Sequence, residues 1–330
     1  MNLVQQAVAL GGKLTPIVIE HGLTSGTGLM NPSVFIDNDG DILCVLRHVN
    51  YTLVHSENKQ LFPSRWGPLA YLHPEKDQRL VTENYLCRLN SDLEMINYTK
   101  VEMLKLHDPI WEFVGLEDAR LVQWNYEYSL IGVRRDTTPN GVGRMEQSII
   151  ELDKDTWTAK ETKRTRIPAP APDNSYCEKN WMPIIDKPNQ LIKWTMPTEI
   201  VRFDALGCKQ VMFKETPRPP ADQRGSSHVI PWRDYYIAVT HEVNLFKNYL
   251  NQKDGIYKHR LVVWDKEFNF VGLSNNFSFL DARVEFCVGA AVLNEDLLIS
   301  FGFQDNAAFI LKTPNALVEG LIEEALTYGN

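Results

Sequence analysis

Five copies of one segment type restrict this chain to a narrow set of folds. Each copy opens with a polar cluster, runs through an apolar strand, turns, and enters a second strand. The copies are NPSVFIDNDGDILCVLR (31–47), LEDARLVQWNYEYSLIGVRR (116–135), EKNWMPIIDKPNQLIKWTMP (178–197), SSHVIPWRDYYIAVTHEV (226–243) and VEFCVGAAVLNEDLLISFGFQD (284–305). Short runs of Val, Ile, Tyr, Phe and Trp broken by Asp, Asn, Gly and Pro read as strands. Four copies are followed by a second strand pair, NYLCRLNSDLEMINY, QSIIELDKDTWTAKE, EIVRFDALGCKQVMF and HRLVVWDKEFNFVGL, and the last by the shorter AAFILK. From Asn31, Leu116, Glu178, Ser226 and Val284 the successive offsets are 85, 62, 48 and 58 residues. Four short strands with their turns need roughly 40–50 residues, so one four-stranded blade per copy fits, with the excess in loops such as 48–82 and 164–177. The expectation is an all-β chain in which 1–330 forms a single five-bladed β-propeller domain, with blades starting near 31, 116, 178, 226 and 284. Radial repetition leaves such a sheet set only short, protected edges; a β-sandwich with similar hairpins is the alternative. In the terminal TPNALVEGLIEEALTYG, Leu317, Leu321, Ile322 and Ala325 fall at helical spacing, which predicts a short amphipathic helix over about 316–327 packed on the rim.

Composition narrows the function. With 44% hydrophobic and 23% charged residues the chain can build a real core. A formal charge of −8, with no Lys/Arg run longer than pairs such as Arg134-Arg135 and Lys163-Arg164, argues against nucleic acid or anionic lipid as partner. The five cysteines, Cys44, Cys87, Cys177, Cys208 and Cys287, are odd in number and scattered, which suits neither a disulfide framework nor zinc. MNLVQQAVALGGKL is a poor secretion signal, and no window holds the about 18 uncharged apolar residues of a membrane span, so a reducing, cytoplasmic setting is expected. There is no G-x-S-x-G elbow, P-loop or dinucleotide fingerprint. His21, His55, His73 and His107 lack ligand spacing, DNDGD (37–41) reads as a strand turn rather than a metal site, and Thr24-Ser25-Gly26-Thr27-Gly28 reads as a loop near the mouth. No metal or organic cofactor is expected.

In a propeller the first strand of each blade lines the central channel, so polar residues at those starts gather at one mouth. Here they are Asn31; Glu117, Asp118 and Arg120; Glu178, Lys179 and Asn180; Ser227 and His228; and Glu285. The ends of second strands add Arg47, Arg134, Arg135, His241, Glu242 and Asp305. Buried charge without a partner is costly, so mutual pairing, for instance of Arg120 with Glu117 or Asp118, is the structural explanation of any one of them. Five such clusters in register point instead to a functional mouth. Carboxylates with nearby Trp181 and Trp194 suit carbohydrate, and glycoside cleavage needs an acid for the departing oxygen and a base or anion on the opposite face.

At GLEDAR (115–120), EKNWMP (178–183), HEV (241–243), VEFCVGAAV (284–292) and FGFQD (301–305) the chain resembles glycoside hydrolase family 130, over about residues 30–310. That resemblance implies a five-bladed propeller and an inverting enzyme that makes or breaks β-mannosides, as mannoside phosphorylases, hydrolases and related mannosyltransferases do. It maps the catalytic acid onto Asp118, which would donate its proton directly or through a sugar hydroxyl. Glu117 and Arg120 would orient that acid and bind sugar hydroxyls, and Asn31, Arg47, Lys179, Asn180, His228 and Asp305 would line the sugar subsites. Hydrolysis would need a second carboxylate, for which Glu285 leads and Glu242 and Glu178 follow, at about 6.5–9.5 Å from the first. Two departures stand out: Ala119 replaces the motif proline, and Trp194-Thr195 replaces the His-Arg pair of phosphorylases. His241 matches the phosphate-side histidine, and Arg134, Arg135, Lys179 or Arg224 would supply cations for inorganic phosphate or a sugar phosphate as co-substrate. HEV…YKHRLVVWD (241–265) also resembles propellers found beside glycosyltransferase domains, a hint of glycan synthesis. Self-association into a homo-oligomer stays open. The reading from another class is a non-catalytic propeller that binds glycan or protein.

Overall fold

The computed structural model describes residues 1–19, 28–51, 59–62, 69–72, 79–172, 174–249, 251 and 253–328. His21, His55, His73, Thr24–Thr27 and parts of the 48–82 loop lie outside the described residues. The chain opens with helix α1 (Leu3–Ala9), started by a capping box between Asn2 and Gln5, and strand β1 (Lys13–Pro16). The first blade follows as β2 (Leu29–Ile36) and β3 (Ile42–Val49), a separate hairpin β4 (Lys59–Phe62) and β5 (Leu69–Leu72), then β6 (Leu80–Leu89) and β7 (Met95–Glu102). After a short β8 (Phe113–Val114), the second blade is β9 (Leu116–Trp124), β10 (Glu127–Arg134), β11 (Arg144–Asp153) and β12 (Thr158–Arg166). The third is β13 (Met182–Pro183), β14 (Gln190–Trp194), β15 (Thr198–Asp204) and β16 (Gly207–Lys214). The fourth has a split first strand, β17 (Arg224–Gly225) and β18 (Ile230–Trp232), then β19 (Tyr235–Lys247), β20 (Lys253–Trp264) and β21 (Phe270–Leu273). The fifth is β22 (Glu285–Leu293), β23 (Asp296–Phe303) and β24 (Ala307–Thr313), before helix α2 (Asn315–Leu326).

The protein is a five-bladed β-propeller with a short C-terminal helix. The last blade has three strands of its own, and β1 from the other end of the chain fills the fourth place, Lys13 opposite Lys312 and Pro16 opposite Phe309. The ring is thus closed by hydrogen bonds between the two termini. Five apolar clusters hold it, one at each seam between blades: Phe35, Leu43, Leu121 and Leu130 between the first two, Ile131, Leu191 and Val201 at the next, then Ile192, Trp264 and Tyr236. Val239, Leu261, Leu297 and Ile299 form the fourth, which also takes in Leu3 and Ala7 of α1 and Val318 and Ile322 of α2; Val34, Leu46, Leu298 and Ile310 form the fifth. Blades one and two are further joined by a parallel contact of their outer strands, Val101 opposite Ala159. No helix of the described residues is long and apolar enough to cross a membrane.

Candidate active site

Two blades set the site with the same local device. Between β2 and β3 the register skips, so that Asn31 and Pro32 together oppose one residue; between β9 and β10 it skips again, so that Asp118 and Ala119 do. A bulge of this kind re-aims a side chain out of the strand alternation. Asn31 and Asp118 sit at the extra residue with φ of 47° and 48°, and Asn180, at the matching place before β13, has φ 63°. Asn and Asp tolerate this left-handed region better than other side-chain-bearing residues, and strained backbone of this sort clusters at functional sites. Asn31 Nδ2 donates to Asp118 Oδ1 at 2.7 Å.

These residues face a cavity of about 590 Å³ at the mouth of the ring. Arg47, at the end of β3 and buried, organises its floor. Its Nη1 lies 2.7 Å from Asp118 Oδ1, its Nη2 donates to Tyr51 Oη at 2.9 Å and lies 3.7 Å from Glu117 Oε2, and its Nε donates to Thr82 Oγ1 at 3.2 Å. Burial pushes the Asp118 carboxyl up, but Arg47, Asn31, Lys179 and Arg120 outweigh it and hold the group below the usual carboxylate value. Asp118 is therefore an anion in the resting protein. Asp305 lines the same cavity from the turn after β23, with φ 50°. Burial there pushes the carboxyl up to about 6, with Arg47 opposing and Asp118 adding to the rise. Gly302 makes the seat for Asn31: a Cβ at 302 would stand 2.0 Å from Asn31 Oδ1.

Three acceptors on this wall, Asn31 Oδ1, Glu117 Oε1 and Asn180 Oδ1, are buried and have no hydrogen-bond partner among the described residues. Cations share the cavity. Lys179 is exposed, Arg224 is half-buried and among the described residues pairs only with the exposed Asp222 at 3.4 Å, and Arg135 donates to Tyr176 Oη at 2.8 Å with its guanidinium over Phe113. His241 lines the cavity too, its Nδ1 2.9 Å from Ser226 Oγ, and is held neutral by burial and by His259, Arg224, Lys179 and Arg120.

Several expected residues are elsewhere. Glu285 is fully buried and does not line the cavity; its oxygens accept the backbone N–H groups of Phe279, Leu280 and Ala282, so it clasps a loop instead of serving as a base. His228 is also fully buried, wedged between Leu121 O and the Ala290 N–H, and burial and Arg120 hold it near a pKa of about 3. Arg120 points away from the cavity: Nε donates to Ser226 O at 2.7 Å and Nη1 to the Asp118 carbonyl at 2.8 Å, so it fixes the Asp118 backbone rather than a sugar. Arg134 is consumed in a buried pair with Glu146 and Asp136. Glu178 accepts from Ser175 and Trp181, and Glu242 from Gln223; neither lines the cavity. Trp181 is core, and Trp194 is 43% exposed away from the cavity.

The aromatic and polar wall that does exist comes from residues the sequence pattern left unmarked: Tyr51, Phe113, Tyr257 and Phe286, with Asp254 and Arg283 paired at 2.6 Å. Most belong to, or fasten, the hairpin of β19 and β20. At 13 and 12 residues these strands overrun the length of a blade, and the overrun carries Val243, Leu245, Asp254 and Tyr257 to the cavity. The length of the two apolar runs was the available signal.

No family model matches the sequence, and no curated protein matches it. The structure is similar to that of a β-1,2-mannobiose phosphorylase from Listeria innocua, solved with β-1,2-mannobiose, at 13% identity over 94% of this chain and 96% of that one, with a TM-score of 0.54. It is similar to a glycosyl hydrolase from Bacteroides ovatus at 9% identity, 88% and 85% coverage and a TM-score of 0.52. A third neighbour, from work on the GH130 family of mannoside phosphorylases and its glycoside hydrolases that target β-1,2 mannosidic linkages in Candida mannan, shows 10% identity, 88% and 85% coverage and a TM-score of 0.51. At such identities what is shared is the fold.

Proposed function

We propose that this protein is a carbohydrate-active enzyme that makes or breaks a β-mannoside-like bond in the axial cavity, by a single displacement with inversion. The observation that carries the reading is the anionic Asp118, held by Arg47 and Asn31 in a cavity that Asp305, Lys179, Arg224 and Arg135 also line. A molecule with several hydroxyl donors fits that cavity, and Tyr51, Phe113 and Tyr257 offer apolar faces to its ring. A glycosyl centre gains positive charge in the transition state, which an anion fixed by Arg47 and Asn31 stabilises. The acceptor oxygen then bonds to C1 as the bond to the departing oxygen breaks and takes its electron pair away.

Phosphate or a sugar phosphate is the favoured co-substrate over water. Lys179, Arg224 and Arg135 reach one cavity, whereas Glu285, Glu242 and Glu178, the carboxylates expected to activate water, all lie outside it. The test is parallel incubation with mannose 1-phosphate, GDP-mannose and β-mannobioses, with and without phosphate, on the native protein and on Asp118→Asn. The variant should stay folded and bind glycan while turnover falls on the order of 10²–10⁴-fold. Turnover that survives the change removes Asp118 from the mechanism.

A further inference from the structure

On the reading of the axial cavity as a glycosyl-transfer site, on which the inference rests, we propose that the hairpin of β19 and β20 walls a second subsite there. This subsite takes an apolar group, the alkyl or aryl part of an alcohol joined to the sugar, in place of a second sugar ring. Successive side chains of a strand point to opposite faces, so His241, Val243 and Leu245 share one face of β19, and all three line the cavity. Across the ladder Tyr257 stands opposite Val243 and Gly255 opposite Leu245, and both line it as well. Ala282, Val284 and Phe286, where the chain enters β22, continue the wall. This segment is fastened to the hairpin by the Tyr257 N–H, which donates to the Arg283 carbonyl at 2.9 Å.

The polar side chains of this wall are engaged within it. Asp254 Oδ2 lies 2.6 Å from Arg283 Nη1, and Asp254 Oδ1 accepts the Gly255 N–H at 2.8 Å. Asp281 accepts from Asn2 Nδ2 at 2.9 Å and from the Ser278 hydroxyl, and Asn248 has its own partner. The apolar side chains, by contrast, form a joined surface. A Cβ at residue 255 would stand 3.0 Å from Leu245 Cδ2 and 3.3 Å from Val243 Cγ2, so these two side chains lean together over the glycine. The His241 ring, with its centroid 5.8 Å from that of Tyr257 at 21° and 5.0 Å from that of Phe286 at 83°, joins the two aromatic faces. A sugar hydroxyl moved from water to such a surface loses its hydrogen bonds without replacement, whereas an apolar group gains by leaving water. The cavity floor is the reverse, with Asn31, Glu117, Asp118 and Asn180 on it.

One cavity thus has a polar end that suits the sugar and an apolar end that suits what the sugar is joined to, with Tyr257 between them. The substrates of this class are alkyl or aryl β-mannosides and, in the direction of synthesis from mannose 1-phosphate, apolar alcohols. In that direction the alcohol oxygen bonds to C1 and gives its proton to the phosphate, which departs with the electron pair of the broken C1–O bond.

Calorimetric titration of the native protein with methyl, butyl and hexyl β-mannoside, each below its micelle concentration, tests the subsite without turnover. Kd should fall by up to about fourfold for each methylene that reaches the wall, and hexyl β-mannoside should bind more tightly than β-1,2-mannobiose. In Leu245→Asn the ratio of the methyl to the hexyl Kd should collapse towards one. Val243→Asn, read in the same way, serves if circular dichroism shows the first variant unfolded. A Kd that ignores chain length, a gain that survives both substitutions, or a mannobiose that outbinds the hexyl glycoside overturns the proposal, as does a series that does not bind at all. Methyl and hexyl β-glucoside separate the two readings. If they bind as tightly as the mannosides and gain equally from chain length, the apolar subsite stands and the mannoside assignment proposed above is the part that fails.

Discussion

At the scale of single residues, buried titratable groups make stability depend on pH in two opposite senses. Asp305 releases its proton near 3.8 when exposed and near about 6 in the fold. Between those values the folded protein binds the extra proton, so stability falls as pH rises, and above them the ionised carboxyl costs up to about 3 kcal/mol. Asp305→Asn should therefore raise the unfolding free energy measured in urea at about pH 8, by on the order of 1–3 kcal/mol, and do little at about pH 4. An equal gain at both would mean the carboxyl is not strained by ionisation. His228 and His259, held near about 3 by burial with Arg120 and Lys258 respectively, act the other way, as does His241. Each is neutral in the fold, so acid below about 6.5 protonates only the unfolded chain and stability drops as pH falls. With three such histidines against one aspartate, net acid lability is expected, measured as unfolding midpoint against pH.

At the scale of elements, the bulges at Asn31 and Asp118 and the loop before β22 decide which polar groups reach the cavity. Glu285 stands at the start of β22, as Asp118 stands near the start of β9, yet without a bulge at its own position its side chain turns into the body of the fold and ties down the backbone of residues 279–282. Glu285→Gln puts an amide NH₂ against backbone donors and should cost about 2–4 kcal/mol. Turnover per folded molecule should be unchanged. A variant with native stability and no turnover would return Glu285 to the reacting centre. The turn 37–41 shows the same lesson in reverse: its acids do not wait for a metal but surround Lys154 Nζ, each of Asp37, Asp39 and Asp41 at 2.7 Å, and so pin the first blade to the second.

At the scale of the whole molecule, the ring is closed where its ends meet. β1 supplies the outer strand of the fifth blade, and Leu3, Val4 and Ala7 of α1 lie in the cluster that also holds α2. Removing residues 1–16 would expose the β24 edge and uncover apolar area on the order of 5 kcal/mol. The shortened chain should melt well below the full one and associate through the open edge on size-exclusion chromatography. An unchanged melting temperature would show that closure does not depend on the terminal strand.

The five-fold recurrence, the turn residues and the apolar runs made the all-β class legible, because strand periodicity and spacing are local properties of the chain, while the choice of propeller over sandwich leaned on the family resemblance as well. The same recurrence located Asn31, Asp118 and Asn180 at matched places, and the paired second-strand ends located Arg47 and Asp305. What the sequence did not contain was direction. Glu285, His228, Arg120 and Arg134 occupy sites as polar as those that line the cavity, and only the bulges and the packing of neighbouring blades send one set to the mouth and the other inward. Nor did it show that the fifth blade borrows β1, that the β19–β20 hairpin walls the cavity, or that Arg47 is shared unequally among three carboxylates. Those are contacts between segments as many as 300 residues apart in sequence, and they are set by the closing of the ring.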